Sequence, residues 1–246
     1  MTDTTPPQGW QLSDTEIFSK YGEVFVPRRD EQARAVCDLL RDIPVRHVLD
    51  LGCGEGRLSE AFLQRFRDAR VTLLDDSAEM LDLAAGRLSR FAGRCDQIQA
   101  NIKDQEWRRG TAYGGVMSSL AVHHLDGPEK QALYRDIHAM LAPGGVFVMV
   151  DLVEPAGPAA RKLAADVWDE AVRRASQEAF GGDEAAKVFA EEAWNYYRLP
   201  GPDEVDKPSS VAEHLDWLRD ARFEEADVAW LYAGHAVLTA RKGGAR

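Results

Sequence analysis

Apolar residues in this chain recur at two spacings that alternate along its length. Short continuous runs, at His47-Val-Leu-Asp-Leu51, Val71–Asp75, Gln97–Asn101, Gly115–Leu120 and Val146–Val153, read as buried strands. Between them lie stretches with the three-to-four-residue period of an amphipathic helix: Arg57–Phe66, Ser77–Phe91 and Pro128–Leu141. In the second of these, Met80, Leu81, Ala84 and Leu88 share a face and Ser77 stands as N-cap. The third is expected to stop at Pro143-Gly144-Gly145. Strands alternating with helices of this length make βαβ units, and so a parallel sheet covered on both faces. Two helices, near 13–20 and 28–42, precede the first strand, the second with Ala33, Val36, Leu39 and Leu40 along one stripe. Residues 1–12 are polar and Pro-rich and are expected to be loose.

At about residue 155 the alternation stops. Residues 156–200 are helical in pattern and Ala-rich, carry Trp168, Phe180, Phe189, Trp194, Tyr196 and Tyr197, and offer no strand. An inserted helical cap is expected there. Beyond Pro200-Gly-Pro202, Ser210–Ala221 is a helix, and Phe223–Trp230 and Tyr232–Arg241 form a terminal hairpin on the sheet edge.

Composition narrows the function. Lys and Arg number 30 against 41 Asp and Glu, a net charge of −11 over 246 residues. Binding through nucleic-acid phosphates needs a concentrated basic face, so a nucleic-acid partner is not expected. No apolar run is long enough to cross a bilayer, and the first residues have neither the basic nor the apolar region of a secretory signal, so a cytoplasmic protein is expected. The three cysteines, Cys37, Cys53 and Cys95, have no paired or metal-ligand spacing, so neither a disulfide framework nor a bound metal is expected.

The most informative segment is Val48-Leu-Asp-Leu-Gly-Cys-Gly-Glu-Gly56. A Gly-rich turn between strand and helix lets backbone approach a ligand at the carboxyl end of the sheet. A dinucleotide would want glycines spaced G-x-G-x-x-G, but Arg57 stands where the third belongs. Asp50, two residues before Gly52, would repel a pyrophosphate and would favour an ammonium or sulfonium cation. The charge selects S-adenosylmethionine (SAM) over NAD. Asp75, ending the second strand, can take both ribose hydroxyls, with Asp76 beside it. At the end of the third strand, Asn101 can read the adenine amino group and a backbone N–H its ring nitrogen.

These residues resemble the class I SAM-dependent methyltransferase family, of the small-molecule type. Val48–Gly56 is similar to its first motif, Leu74-Asp-Asp-Ser-Ala-Glu-Met-Leu81 to its acidic second, and Leu141-Ala-Pro-Gly-Gly145 to the turn before its fifth strand. Ser118-Ser-Leu-Ala-Val-His-His-Leu125 is similar to the segment after its fourth strand, and His214-Leu-Asp-Trp-Leu-Arg-Asp-Ala-Arg-Phe223 to a helix that reads "WLxxAGF" in a bacterial subgroup. The sequence departs from the family at Asn101 and Gly114, where Asp is usual, and at Arg222, where Gly is usual. The resemblance implies a Rossmann-like, doubly wound seven-stranded α/β sheet with an antiparallel terminal hairpin. The expected segments are an N-terminal lid (1–43), a SAM-binding core (44–154), a helical cap (155–208), and the last helix and hairpin (209–246).

The expected activity is methyl transfer from SAM to an O or N nucleophile of a small molecule, leaving S-adenosylhomocysteine (SAH). Asp50, Gly52 and Gly54 would hold the methionine part, with Cys53 packed beneath, Asp75 the ribose, with Asp76 beside it in the cofactor site but facing away, and Met80, Asn101 and Ile102 the adenine. Ser119 lies at the end of the fourth strand, within the same expected site. His123 and His124, just after that strand, are candidates for base or acceptor-orienting group, and Tyr21 for a residue that closes over SAM. Arg28 can grip an acceptor carboxylate, with a solvated helix start as the alternative, and Trp194 and Tyr197 can line the acceptor pocket, with core packing as theirs. A tRNA-modifying enzyme, a SAM-binding accessory protein without turnover, SAM chemistry other than methyl transfer and a homodimer stay open.

Overall fold

The computed structural model describes residues 12–108, 112–201 and 204–244; all but the last residue of the expected loose start, and Pro202, lie outside them. The described chain divides into two compact units, one from residues 1–29, 155–207 and 232–234, the other from 30–154, 208–231 and 235–246.

The second unit holds the sheet. Its strands are β1 (His47–Leu51), β2 (Arg70–Asp75), β3 (Cys95–Gln99), β4 (Tyr113–Ser119), β5 (Leu141–Leu152), β6 (Glu224–Tyr232) and β7 (His235–Arg241), in the spatial order β3-β2-β1-β4-β5-β7-β6. Pairs among β1–β5 are parallel, and β7 runs antiparallel to β5, from Val146 opposite Arg241 to Leu152 opposite His235. This is the expected seven-stranded Rossmann-like sheet with its antiparallel hairpin. Strand order reverses between β1 and β4, and that switch point is where open α/β sheets bind ligands.

Side chains alternate across the strands, so each face of the sheet seals a separate core. Val48, Val71, Leu73, Val146, Val148 and Val150 pack with Phe62 and Leu63 of α3 (Arg57–Arg65) and Leu81 and Ala84 of α4 (Ala78–Arg87). Leu49, Leu51, Phe147 and Met149 pack instead with Leu133, Tyr134 and Ile137 of α5 (Gly127–Met140) and Leu218 of α8 (Val211–Asp220). Ser77 caps α4 as expected, and capping boxes at Asp126/Glu129 and Ser210/Glu213 start α5 and α8.

The structure moves some boundaries. β3 begins two residues before its expected start, because this edge strand is largely exposed and its apolar pattern is weak. The helix expected over 77–91 ends at Arg87 and tightens into a 3-10 turn over Ser89–Arg94, whose Arg94 guanidinium donates to the carbonyls of Leu63, Phe66 and Arg67 at the end of α3. α5 ends at Met140, and Pro143-Gly144-Gly145 falls within β5 at a register shift opposite Tyr113 and Gly115.

In the first unit, α1 (Leu12–Phe25), α6 (Pro158–Phe180) and α7 (Glu184–Glu191) surround an aromatic core of Phe25, Trp168, Phe189 and Trp194, with neighbouring ring centroids 5.1–5.3 Å apart. The Trp168 indole N–H donates to the Phe25 carbonyl at 2.8 Å. No helix among the described residues is long and apolar enough to cross a membrane.

Candidate functional site

β1 ends in a turn built from glycines. Gly52, Gly54 and Gly56 have φ of +66°, +49° and +75°, the left-handed region that an L side chain enters at a cost of about 1–2 kcal/mol. At Gly52 a Cβ would lie 2.4 Å from Ala121 Cβ, so this turn touches the segment that leaves β4. At Gly54 a Cβ would meet nothing within 4 Å. The second glycine therefore borders open space, as backbone that receives a ligand must.

Asp50 is 1% exposed on β1. Its Oδ2 accepts from the Ser59 hydroxyl at 2.5 Å, while its buried Oδ1 has no hydrogen-bond partner. Burial, reinforced by the nearby Asp75 carboxylate, pushes its pKa up to about 7, with Ser59 pulling the other way. An orphaned buried carboxylate oxygen is costly unless a cation or donor completes it. Asp75, at the end of β2, accepts from Gly54 N–H at 2.8 Å through Oδ2 and from Ser77 N–H at 3.1 Å through Oδ1. Burial raises its pKa against those two donors. Each of its oxygens keeps a second acceptor direction. Cys53 is buried between these acids, its amide on the Leu74 carbonyl; burial and both carboxylates push its thiol up, which keeps it protonated.

The other expected SAM contacts are distributed around this turn. Met80 is buried on α4 and Ser119 is half-buried at the end of β4. Asp76 is exposed and accepts from Asn101 Nδ2 at 2.9 Å, while Asn101 Oδ1 accepts from Lys103 N–H at 2.9 Å. The Asn101 side chain thus braces its own loop. Ile102 packs against the core cluster that contains Trp107, and its carbonyl accepts from Arg108 at 2.8 Å.

After β4, Leu120 takes φ +55° and a 3-10 turn over Val122–His124 follows. Val122 and Leu125 are buried anchors on either side of the histidines. His123 is buried as well, with its Nδ1 in a short hydrogen bond to Asp151 Oδ1 and its amide N–H on Asp151 Oδ2 at 2.9 Å. Asp151, near the end of β5, is 1% exposed and takes a further N–H from Leu152 at 2.9 Å. Burial would raise its pKa, but the charge and hydrogen bond of His123, helped by Leu152 N–H and His124, hold it below the usual carboxylate range. His124 is half-buried, its ring centroid 4.1 Å from that of His123.

Asp151 is the site residue that sequence reasoning missed. Its signal was a lone acid inside the apolar run Val146–Val153, where a buried charge needs a reason.

The remaining candidates belong to the first unit. The Tyr21 hydroxyl donates to Glu184 at 2.5 Å and its ring stacks on Phe25. Arg28 lies over the Tyr232 ring at 4.1 Å. Trp194 stacks on Phe18 and Phe25, and the Tyr197 hydroxyl donates to the Gly234 carbonyl at 2.7 Å. Each has a packing role within that unit.

Comparison with known proteins agrees with this geometry. Residues 48–145 match the methyltransferase domain family. A trans-aconitate 2-methyltransferase from Paracidovorax citrulli is 34% identical over 150 residues, 58% of this chain and 55% of that protein. One from Methylobacterium radiotolerans is 29% identical over 210 residues, 77% and 74% of the two chains. The match thus spans little more than half the length of the first of these relatives. A structure of an O-methyltransferase family 2 protein from Planctomyces limnophilus, in complex with apigenin, superposes with a TM-score of 0.62 at 16% identity, over 98% of this chain and 63% of that one. At that identity the likeness is one of fold.

Proposed function

The chain belongs to the class I SAM-dependent methyltransferase family, and from that premise we propose that it transfers a methyl group from SAM to a nucleophilic atom of a small molecule. The observation that carries the reading is the pairing of an orphaned, buried Asp50 oxygen with open backbone at Gly54, at the sheet's switch point. The donor set fits SAM: Asp50 would hold the ammonium of the methionine part, Gly52 and Gly54 the backbone around it, Asp75 the ribose hydroxyls, and Met80 and Ile102 the adenine faces. When bound, SAM supplies a methyl carbon already activated on a sulfonium. The chain must then align the acceptor, exclude water and manage any proton it loses. His123 is the group we assign to the acceptor side, since its turn abuts Gly52 through Ala121. A second reading takes an acceptor carboxylate, favoured by relatives named for trans-aconitate.

Calorimetric titration with SAH tests the cofactor half. SAH keeps the ammonium, which is held best by an ionised Asp50. A pKa raised to about 7 in the free fold means the proton must leave before that charge is available. Affinity should therefore be full above about pH 7 and weaken below it, by up to about tenfold per pH unit. In Asp50→Ala we expect affinity at least about tenfold weaker at pH 8 and no such pH dependence. Unchanged affinity in the variant would show that Asp50 does not hold the ligand.

A further inference from the structure

Asp50 is gripped by the helix that follows its own turn. Ser59, fully buried in the first turn of α3, donates its hydroxyl to Asp50 Oδ2 at 2.5 Å. A serine in a helix can turn that hydroxyl back on the carbonyl four residues earlier. Here that carbonyl belongs to Glu55, and it accepts Arg87 Nε–H of α4 at 2.9 Å. α3 also starts without a side-chain cap, at Gly56 with φ +75°, so its first-turn N–H groups want an acceptor. The Ser59 N–H favours the charged Asp50 together with the hydroxyl. One oxygen of Asp50 is thus fixed by a second element, while Oδ1 is buried without a partner.

We infer that Ser59 is a positioning residue for the cofactor: it holds Asp50 Oδ2, leaves Oδ1 to the ligand's ammonium, and favours the ionised carboxylate that this ammonium needs. The inference rests on the methyltransferase reading, in which Asp50 takes the ammonium of SAM or SAH. It makes cofactor binding proton-linked through a residue two turns of sequence away from the glycines. A protonated Asp50 must release its proton to solvent before the ammonium can take the carboxylate, and the Ser59 hydroxyl eases that release.

The surroundings of Asp50 leave this link legible. Burial raises its pKa to about 7 against the pull of the Ser59 hydroxyl, and Asp75 adds to the rise. In the neighbouring strands Leu73 of β2 and Met117 of β4 stand beside it in register, and both are apolar. In the turn, burial and both carboxylates push the Cys53 thiol up, so it stays protonated. The charged residues of the turn and its flanking helices pair with one another: Glu55 with Arg57 and Arg87, and Glu60 with Arg87 and Arg90. Asp75, itself raised by burial, is the titratable neighbour that acts on Asp50, and residue-resolved spectra separate the two. Removing the Ser59 hydroxyl takes a donor from the charged form. The Asp50 pKa must then rise, and the ligand must be lost at a higher pH.

Two readouts on the full chain compare the wild type with Ser59→Ala. The first is the ¹³C NMR titration of the aspartate side-chain carboxyls in ligand-free protein, with Asp50→Asn to assign the Asp50 signal. We expect the Asp50 midpoint to move up by about one to two pH units in Ser59→Ala. An unmoved midpoint would overturn the inference. The second is calorimetric titration with SAH at pH 7 and pH 8.5. We expect Ser59→Ala to bind about fivefold or more weakly at pH 7, with the deficit narrowing at pH 8.5 as Asp50 ionises. An equal deficit at both pH values would mean that Ser59 only packs, and no deficit at either would mean that it does nothing for the ligand; both count against us. Should Ser59→Ala not fold, Ser59→Cys offers a weaker donor and must move the midpoint the same way by less, an unmoved one again being fatal. Wild-type protein that fails to bind SAH would refute the methyltransferase reading. If SAH binds and the two proteins share one pH profile, the role of Ser59 falls instead.

Discussion

Gly52 and Gly54 share a backbone conformation but have different neighbours, and that difference separates folding from binding. Gly52→Ala places a Cβ against Ala121 Cβ and adds left-handed strain, so we expect a loss of about 2–4 kcal/mol, read by urea denaturation. Gly54→Ala meets only open space, so stability should fall by the backbone strain alone, about 1 kcal/mol, while SAH affinity drops at least about tenfold. If Gly54→Ala bound SAH normally, the backbone there would not face the ligand. Asp50 was legible in the sequence because an acid in a buried strand stood beside a glycine turn. Asp151 is the same kind of residue, yet no such turn follows it. Only the β4–β5 register brings it to His123. Gly114 shows the converse. Its departure from the family's usual Asp follows from packing, since a Cβ there would sit 1.7 Å from the Val45 carbonyl oxygen.

Among the elements, helix starts were easier to read than helix ends. Ser77 was readable as a cap from its side-chain chemistry, and the structure adds Asp126 and Ser210 as caps of the same kind, whereas the stop of α4 depends on Arg94 reaching carbonyls of another helix. The end of α8 combines both kinds of information. Arg222 follows the helix at φ +70°, and Phe223 N–H bonds back to the Leu218 carbonyl, a closing turn that favours glycine. The family's usual Gly at this position is thereby explained. Arg222→Gly should relieve the strain and stabilise the chain by about 0.5–1 kcal/mol, a rise of roughly 1–4 °C in melting temperature. A fall would mean that the Arg222 side chain contributes more than its backbone costs. The hairpin was readable for a related reason: Ala233 and Gly234 both take positive φ, as a tight two-residue connection requires.

For the whole molecule, alternation of strand and helix was enough to state a parallel sheet, and the motif resemblance supplied its seven strands and antiparallel hairpin, whereas the order of the strands comes from the structure. The order matters because it sets β1 beside both β2 and β4. Asp50, the glycine turn, Asp75 and the His123 turn, distant in sequence, meet at one crevice for that reason. The division into two units was less legible, because α1 joins α7 and Trp194 through aromatic contacts of Phe25 that no local pattern announces. The central claim is that this crevice takes SAM and its product. The most direct measurement is the melting temperature of dialysed protein alone, with SAH, and with NAD. At about 100 times its dissociation constant a ligand adds about 2.7 kcal/mol, roughly 5–10 °C for a chain of this size. The account predicts that rise with SAH and none with NAD. A shift with NAD alone, or with neither, would contradict it.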